Sequence, residues 1–223
     1  MKKTTQILSI VFNLFVFLSA AVSVLLMFLV SGSGNMLVSR FRIFLYFTVD
    51  SNILCAIACL LIAIARIRAI KGQNAFLSKK LLALKYAGTV AVTVTMLTVI
   101  LFLVQFYGFK ALYQGANLYL HLLSPLAALC SFILIDIDFA LSSRYITLSV
   151  FPTLIYGIIY LIMVVFIGEE NGGWKDFYGF NIGGHWYISM VIMLCGTAFS
   201  GFIILKLHNS MAARKDLSLR NDL

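Results

Sequence analysis

Charge is what this chain has least of. Only 11% of its 223 residues are Asp, Glu, Lys or Arg, where a soluble domain carries about a quarter. So few charges cannot clothe a water-exposed surface, so an ordinary soluble domain is excluded. Internal repeats, heptads and low-complexity tracts are absent too, which removes a repeated transporter-like or coiled-coil assembly. Cysteine is sparse: Cys55, Cys59, Cys130 and Cys195 all fall inside apolar runs, where they read as small packing residues. Cys55 and Cys59 share a helix face but lack a matching His or Cys pair, so no metal site and no cofactor is expected.

What the chain has in quantity is apolar side chains, at 62% of residues with a mean hydropathy of +1.02. A membrane helix needs roughly 20 such residues, because each rises ~1.5 Å through a hydrocarbon core of ~30 Å. Six segments meet that length: Ile7–Val30, Ile43–Ala65, Leu81–Phe106, Leu118–Ile137, Leu148–Ile167 and Trp186–Leu207. The expected architecture is an all-α, six-transmembrane-helix bundle. It forms one integral membrane domain over 1–223, with a short cytoplasmic tail at 208–223. Lys2 and Lys3 before an apolar run, with Ser19-Ala20-Ala21 beyond, imitate a signal peptide, but the run continues to Val30 and favours a retained helix.

Basic residues orient the spans, since short cytoplasmic loops retain Lys and Arg. With the N-terminus inside, twelve fall on inner segments and four, Arg40, Arg42, Lys110 and Lys175, on outer ones. Lys85 lies within the third span, near enough to its inner end to snorkel. The topology is therefore N-in and C-in, in a membrane read as the bacterial cytoplasmic membrane. The net charge of +9 then describes an inner basic collar facing anionic lipid, and no nucleic-acid partner is expected.

Loops and breaks are few. Ser31-Gly32-Ser33-Gly34-Asn35 reads as a flexible outer loop, and the Gly-rich stretch from Gly168 to Gly184 as a cap over an outer cavity. Trp174, Tyr178, Trp186 and Tyr187 suit interfacial anchors. Pro125 and Pro152 sit inside spans, each removing a backbone donor. Gly196 with Ser200, and Thr197 with Gly201, lie four apart in the last span and permit close helix contact.

Polar groups within the spans are the informative exceptions, because lipid excludes them unless a bundle interior or cavity receives them. The second span carries Tyr46-Phe47-Thr48-Val49-Asp50-Ser51-Asn52. Thr48, Ser51, Asn52, Cys55 and Cys59 repeat at three and four, and so share one helical face; Asp50 points elsewhere. In the fourth span Asn117, His121 and Ser124 share a face. Asp136 and Asp138 approach its inner end, with Arg144 as the ordinary partner. Tyr86, Thr89 and Thr93 form a further stripe suited to interhelical hydrogen bonds. His185 falls at the outer mouth and His208 beyond the last span.

Both polar faces enter from outside. Thr48 falls ~7 Å and His121 ~5 Å below their expected helix starts, so the two can meet in the outer half of a bundle. A hydroxyl beside a neutral imidazole suffices for nucleophilic acyl transfer, the ring taking the proton as the hydroxyl attacks a carbonyl. Ser51, Asn52, Asn117, Ser124 or backbone amides are oxyanion candidates. Asp50 would orient His121 or pair with Arg40 or Arg42. The plainer alternative is a Thr bonded to its own backbone and a packing His.

The Tyr46–Asn52 run, followed about 70 residues later by Asn117 and His121 ahead of Ser124-Pro125-Leu126, resembles the androgen-induced-protein family and its bacterial relatives. Those are small multi-pass membrane proteins. The resemblance implies a membrane-embedded threonine hydrolase acting on fatty acid esters of hydroxy fatty acids, with Thr48 as nucleophile and His121 as general base. Asp50 matches no family role. The expected partner is thus a membrane lipid or lipid-like ester. The competing readings are a non-enzymatic carrier of lipids or small molecules along a polar path, and a structural membrane subunit whose polar residues only join helices.

Overall fold

A computed structural model describes residues 3–30, 40–73 and 77–221. The described residues hold six helices long and apolar enough to cross a membrane, and no strand. They are α1 (Lys3–Val30), α2 (Phe47–Ile70), α3 (Lys79–Tyr107), α4 (Ala116–Ile135), α5 (Tyr145–Ile167) and α6 (Trp186–Asn221). The expected outer loop at Ser31–Asn35 lies outside the described residues.

Burial explains why α3 sits at the centre. Its membrane window is 67% buried against 11% for α5, and its sequence from Ala87 to Ala91 is small or β-branched. Gly88 lets α2 come close: a Cβ there would stand 2.8 Å from the Cys55 Cα. Gly201 does the same for α6, where a Cβ would meet the Ser149 hydroxyl at 2.7 Å and the Tyr86 hydroxyl at 2.8 Å. Gly196, expected to share that role, faces open space. Apolar side chains such as Leu18, Phe151, Ile155 and Phe199 remain exposed, as a bundle bathed in lipid requires.

Two helix boundaries differ from the sequence expectation in ways that matter. A short 3-10 turn, Arg40–Leu45, precedes α2, and the extended backbone at Tyr46 delays the helix to Phe47. Thr48 therefore lies in the first turn of α2, several ångströms nearer the outer end than the pattern suggested. At the other end the helix of α6 continues past Leu207 to Asn221, so the stretch expected as a tail is helical. Its extension is packed: His208 and Ala212 are buried, and the Asn209 amide exchanges hydrogen bonds of 2.8 Å with the Leu141 backbone.

Prolines shape α4 and α5. Pro125 has no N–H for the His121 carbonyl four residues earlier, and the helix widens into a π turn at Tyr119–Leu123 that contains His121. Pro152 deprives the Leu148 carbonyl in the same way.

Candidate functional site

Thr48 opens on a cleft bounded by α2, α3, α5 and α6 and roofed by Tyr178, Phe180 and Asn181 from the α5–α6 loop. The cleft is open at its mouth and almost wholly apolar. Thr48, Thr95, Thr98 and Thr153 line it together with Val99, Leu103, Met190 and Met193. Such a space suits an acyl chain better than a polar solute, because little else in it would replace lost hydration.

The roof is fixed by one carboxylate. Asp176 accepts from the Tyr160 hydroxyl at 2.7 Å, the Phe180 N–H at 2.9 Å and the Asn181 N–H at 2.8 Å. Gly173 allows the loop to turn back onto α5, since a Cβ there would lie 2.1 Å from the Met163 carbonyl. Tyr178 then reaches the start of α2. Its phenol oxygen accepts the Phe47 N–H at 3.0 Å and stands beside the Thr48 hydroxyl and amide. Burial pushes that phenol up from the ordinary tyrosine range, so it remains protonated and able to donate. Tyr178 thus satisfies orphan amides at a helix N-terminus whose own Tyr46 supplies no side-chain cap.

His121 is buried in the π turn of α4. Its Nδ1 lies 2.6 Å from the Leu112 carbonyl. A carbonyl only accepts, so Nδ1 carries the proton and a neutral ring leaves Nε2 as an acceptor. That is the tautomer a general base requires. Nε2 has no hydrogen-bond partner among the described residues.

Asn52 ties the two segments together. Its Nδ2 donates to the Thr48 carbonyl at 2.8 Å and to the Leu120 carbonyl, next to His121, at 3.0 Å. The Asn52 Oδ1 is buried with no partner among the described residues. Among the described residues no hydrogen bond joins the Thr48 hydroxyl to His121, and His121 is not in the cleft wall.

The expected α2 face is buried throughout: Thr48, Ser51, Asn52, Cys55 and Cys59. The side chains expected as oxyanion candidates have other partners. Ser51 donates to the Thr48 carbonyl at 3.2 Å and lies 2.9 Å from the Thr95 hydroxyl. Asn117 donates to the Ala111 carbonyl at 3.1 Å, and Ser124 meets Ser19 of α1 at 2.7 Å. Asp50 neither touches His121 nor forms an ion pair among the described residues; it lines a neighbouring groove beside α5. Thr95, Thr98 and Thr153 went unnoticed in the sequence, because isolated hydroxyls in helices ordinarily bond their own backbone.

The larger surprise is at the inner end of the bundle. Lys85, which the sequence placed close enough to the surface to snorkel, is fully buried. Its ammonium pairs with Asp136, donates to the Ser131 hydroxyl, and donates to the Asn13 Oδ1 at 2.7 Å. Arg66 pairs with Asp138 and stands 3.4 Å from Asp136, while Ser9 and the Asn13 amide, the latter at 3.0 Å, also donate to Asp136. Arg144, the expected partner of the aspartates, instead lies over the Tyr145 ring. Burial alone would raise the Asp136 carboxyl, but the Lys85 charge and its hydrogen bonds hold it below the usual carboxylate range. Two cations facing two carboxylates are neutral together, and the cluster clamps α1, α2 and α3 to the inner end of α4. Ser9 and Asn13, four apart on one face of α1, were the signal in the sequence.

Among the described residues no group of three or more metal-ligating side chains occurs. Comparison with family profiles, characterised proteins and solved structures returns no match to this chain.

Proposed function

We propose that this protein is a membrane-embedded hydrolase of lipid or fatty acyl esters, with Thr48 as nucleophile and His121 as general base. The observation that carries the reading is the Asn52 bridge. It holds a threonine that lines an apolar cleft against the segment bearing an imidazole whose Nδ1 faces a carbonyl. The same two segments carry the resemblance to the androgen-induced-protein family.

In the proposed reaction His121 Nε2 takes the Thr48 hydroxyl proton, directly or through one water, as the oxygen attacks the ester carbonyl. Collapse of the tetrahedral adduct breaks the ester C–O bond, the alcohol leaves with that proton, and an acyl-threonine remains. Water, deprotonated by the same imidazole, then releases the fatty acid. The position of Thr48 in the first turn of α2 favours the developing negative charge, since the positive end of the helix dipole lies there.

A second reading, lipid binding without turnover, is favoured by the missing Thr48–His121 hydrogen bond. Catalytic hydrogen bonds often tighten only when substrate is bound, so labelling separates the two. Purified protein is treated with a fluorescent fluorophosphonate and compared with Thr48→Ala, His121→Ala and Thr48→Ser. Labelling abolished in the two alanine variants and retained in Thr48→Ser, with all four monodisperse, is the expected result. Equal labelling of wild type and Thr48→Ala overturns the assignment.

A further inference from the structure

Asp50 is not among the residues that line the Thr48 cleft. It stands in a groove that runs between α2, α3 and α5 and is lined otherwise by apolar side chains and by Ser51 and Tyr156. Neither of those neighbours offers Asp50 a charge. Ser51 is engaged with the Thr48 carbonyl and Thr95, and the Tyr156 hydroxyl donates to the Leu45 carbonyl at 2.7 Å. The half-buried carboxylate has neither hydrogen bond nor ion pair among the described residues.

The shape of the groove adds a second constraint. Along α5 it extends from Leu148 to Ile159, roughly 16 Å at ~1.5 Å per residue. Phe151 and Ile155 on its wall are half exposed, so it opens sideways to lipid. Asp50, in the first turn of α2, marks its outer end. A bare cation would find one carboxylate and no further ligands, whereas hydrocarbon alone would leave the carboxylate uncompensated. An occupant carrying both a cationic head and a single chain satisfies each end. A phospholipid would bring its phosphate against Asp50.

We propose that this groove is a binding site for a single-chain cationic amphiphile, its ammonium paired with Asp50 and its chain lying along Leu54, Phe151, Ile155 and Ile159. The site adjoins the Thr48 cleft, Phe47 and Tyr156 standing in the walls of both, and its occupant enters from the outer leaflet.

The test uses the full chain in phosphatidylcholine nanodiscs, titrated with tetradecyltrimethylammonium below its micellar concentration, with protein-free nanodiscs subtracted. Saturable binding is expected, weakened about ten-fold or more in Asp50→Asn, since that variant loses a charge-assisted contact. Asp50→Glu should retain binding, and Ile155→Trp, which fills the groove and leaves the carboxylate, should weaken it. Size-exclusion profiles identify any variant that fails to fold, and Ile155→Trp on the lipid-facing surface stands in for Asp50→Asn if that variant does. Equal affinity of wild type and Asp50→Asn, or equal affinity for tetradecanol, overturns the proposal. Equal competition by phosphatidylethanolamine overturns it in favour of a zwitterionic lipid.

Discussion

Replacing Lys85 by Met tests whether the inner cluster holds the bundle together. Lys85 and Asp136 are both fully buried, so removal of the ammonium leaves a carboxylate with no route to water. Breaking a buried ion pair on one side costs about 3–5 kcal/mol. Asp136 would keep Arg66 at 3.4 Å, Asn13 at 3.0 Å and the Ser9 hydroxyl, which argues for the lower end, about 3 kcal/mol. That is a change of roughly a hundred-fold in the unfolding equilibrium. Reversible unfolding in mixed micelles, followed by tryptophan fluorescence, measures it. The double variant Lys85→Met/Asp136→Asn removes the stranded charge while preserving shape, and should recover about half of the loss in a double-mutant cycle. If Lys85→Met unfolds within about 0.5 kcal/mol of wild type, or the cycle shows no coupling, the ammonium is solvated and the clamp does not exist.

Further consequences follow from packing and from the loop. Gly88→Val should destabilise the bundle by about 1–3 kcal/mol through overpacking, because its Cβ would press on the Cys55 backbone, whereas Gly196→Ala should be silent; thermal unfolding of the two compares them directly. Asp176→Ala removes the shared acceptor of Tyr160, Phe180 and Asn181. Amide exchange across residues 176–185 should then rise at least ten-fold while that of α3 stays unchanged. Unaltered loop exchange would mean that the carboxylate does not hold the roof.

Much of the fold was legible because lipid imposes one-dimensional rules. A span must be long and apolar, so six runs of sequence became six helices, and the polar face from Thr48 to Cys59 was buried as its three–four spacing demanded. The start of α2 was less legible, because apolar residues from Ile43 onward continue the pattern into a 3-10 turn that periodicity cannot distinguish from helix. The candidate site was half legible. Thr48 and His121 stand out as polar groups in apolar runs, but which donors were already spent depends on neighbours distant in sequence. Ser124 is taken by Ser19, Ser51 by Thr95, and the Thr48 amide faces Tyr178, 130 residues away.

By itself, then, the sequence determined the solvent, the number of helices and the residues too polar to face lipid, since each follows from transfer energies and helical period. Only the tertiary structure decided the pairings. Lys85 looked free to snorkel until α4 brought Asp136 against it, and Asp50 was parted from His121 by a turn of α2 that sends it toward α5. Burial is a property of a residue and can be read along a chain, whereas compensation belongs to two residues and exists only once helices are packed.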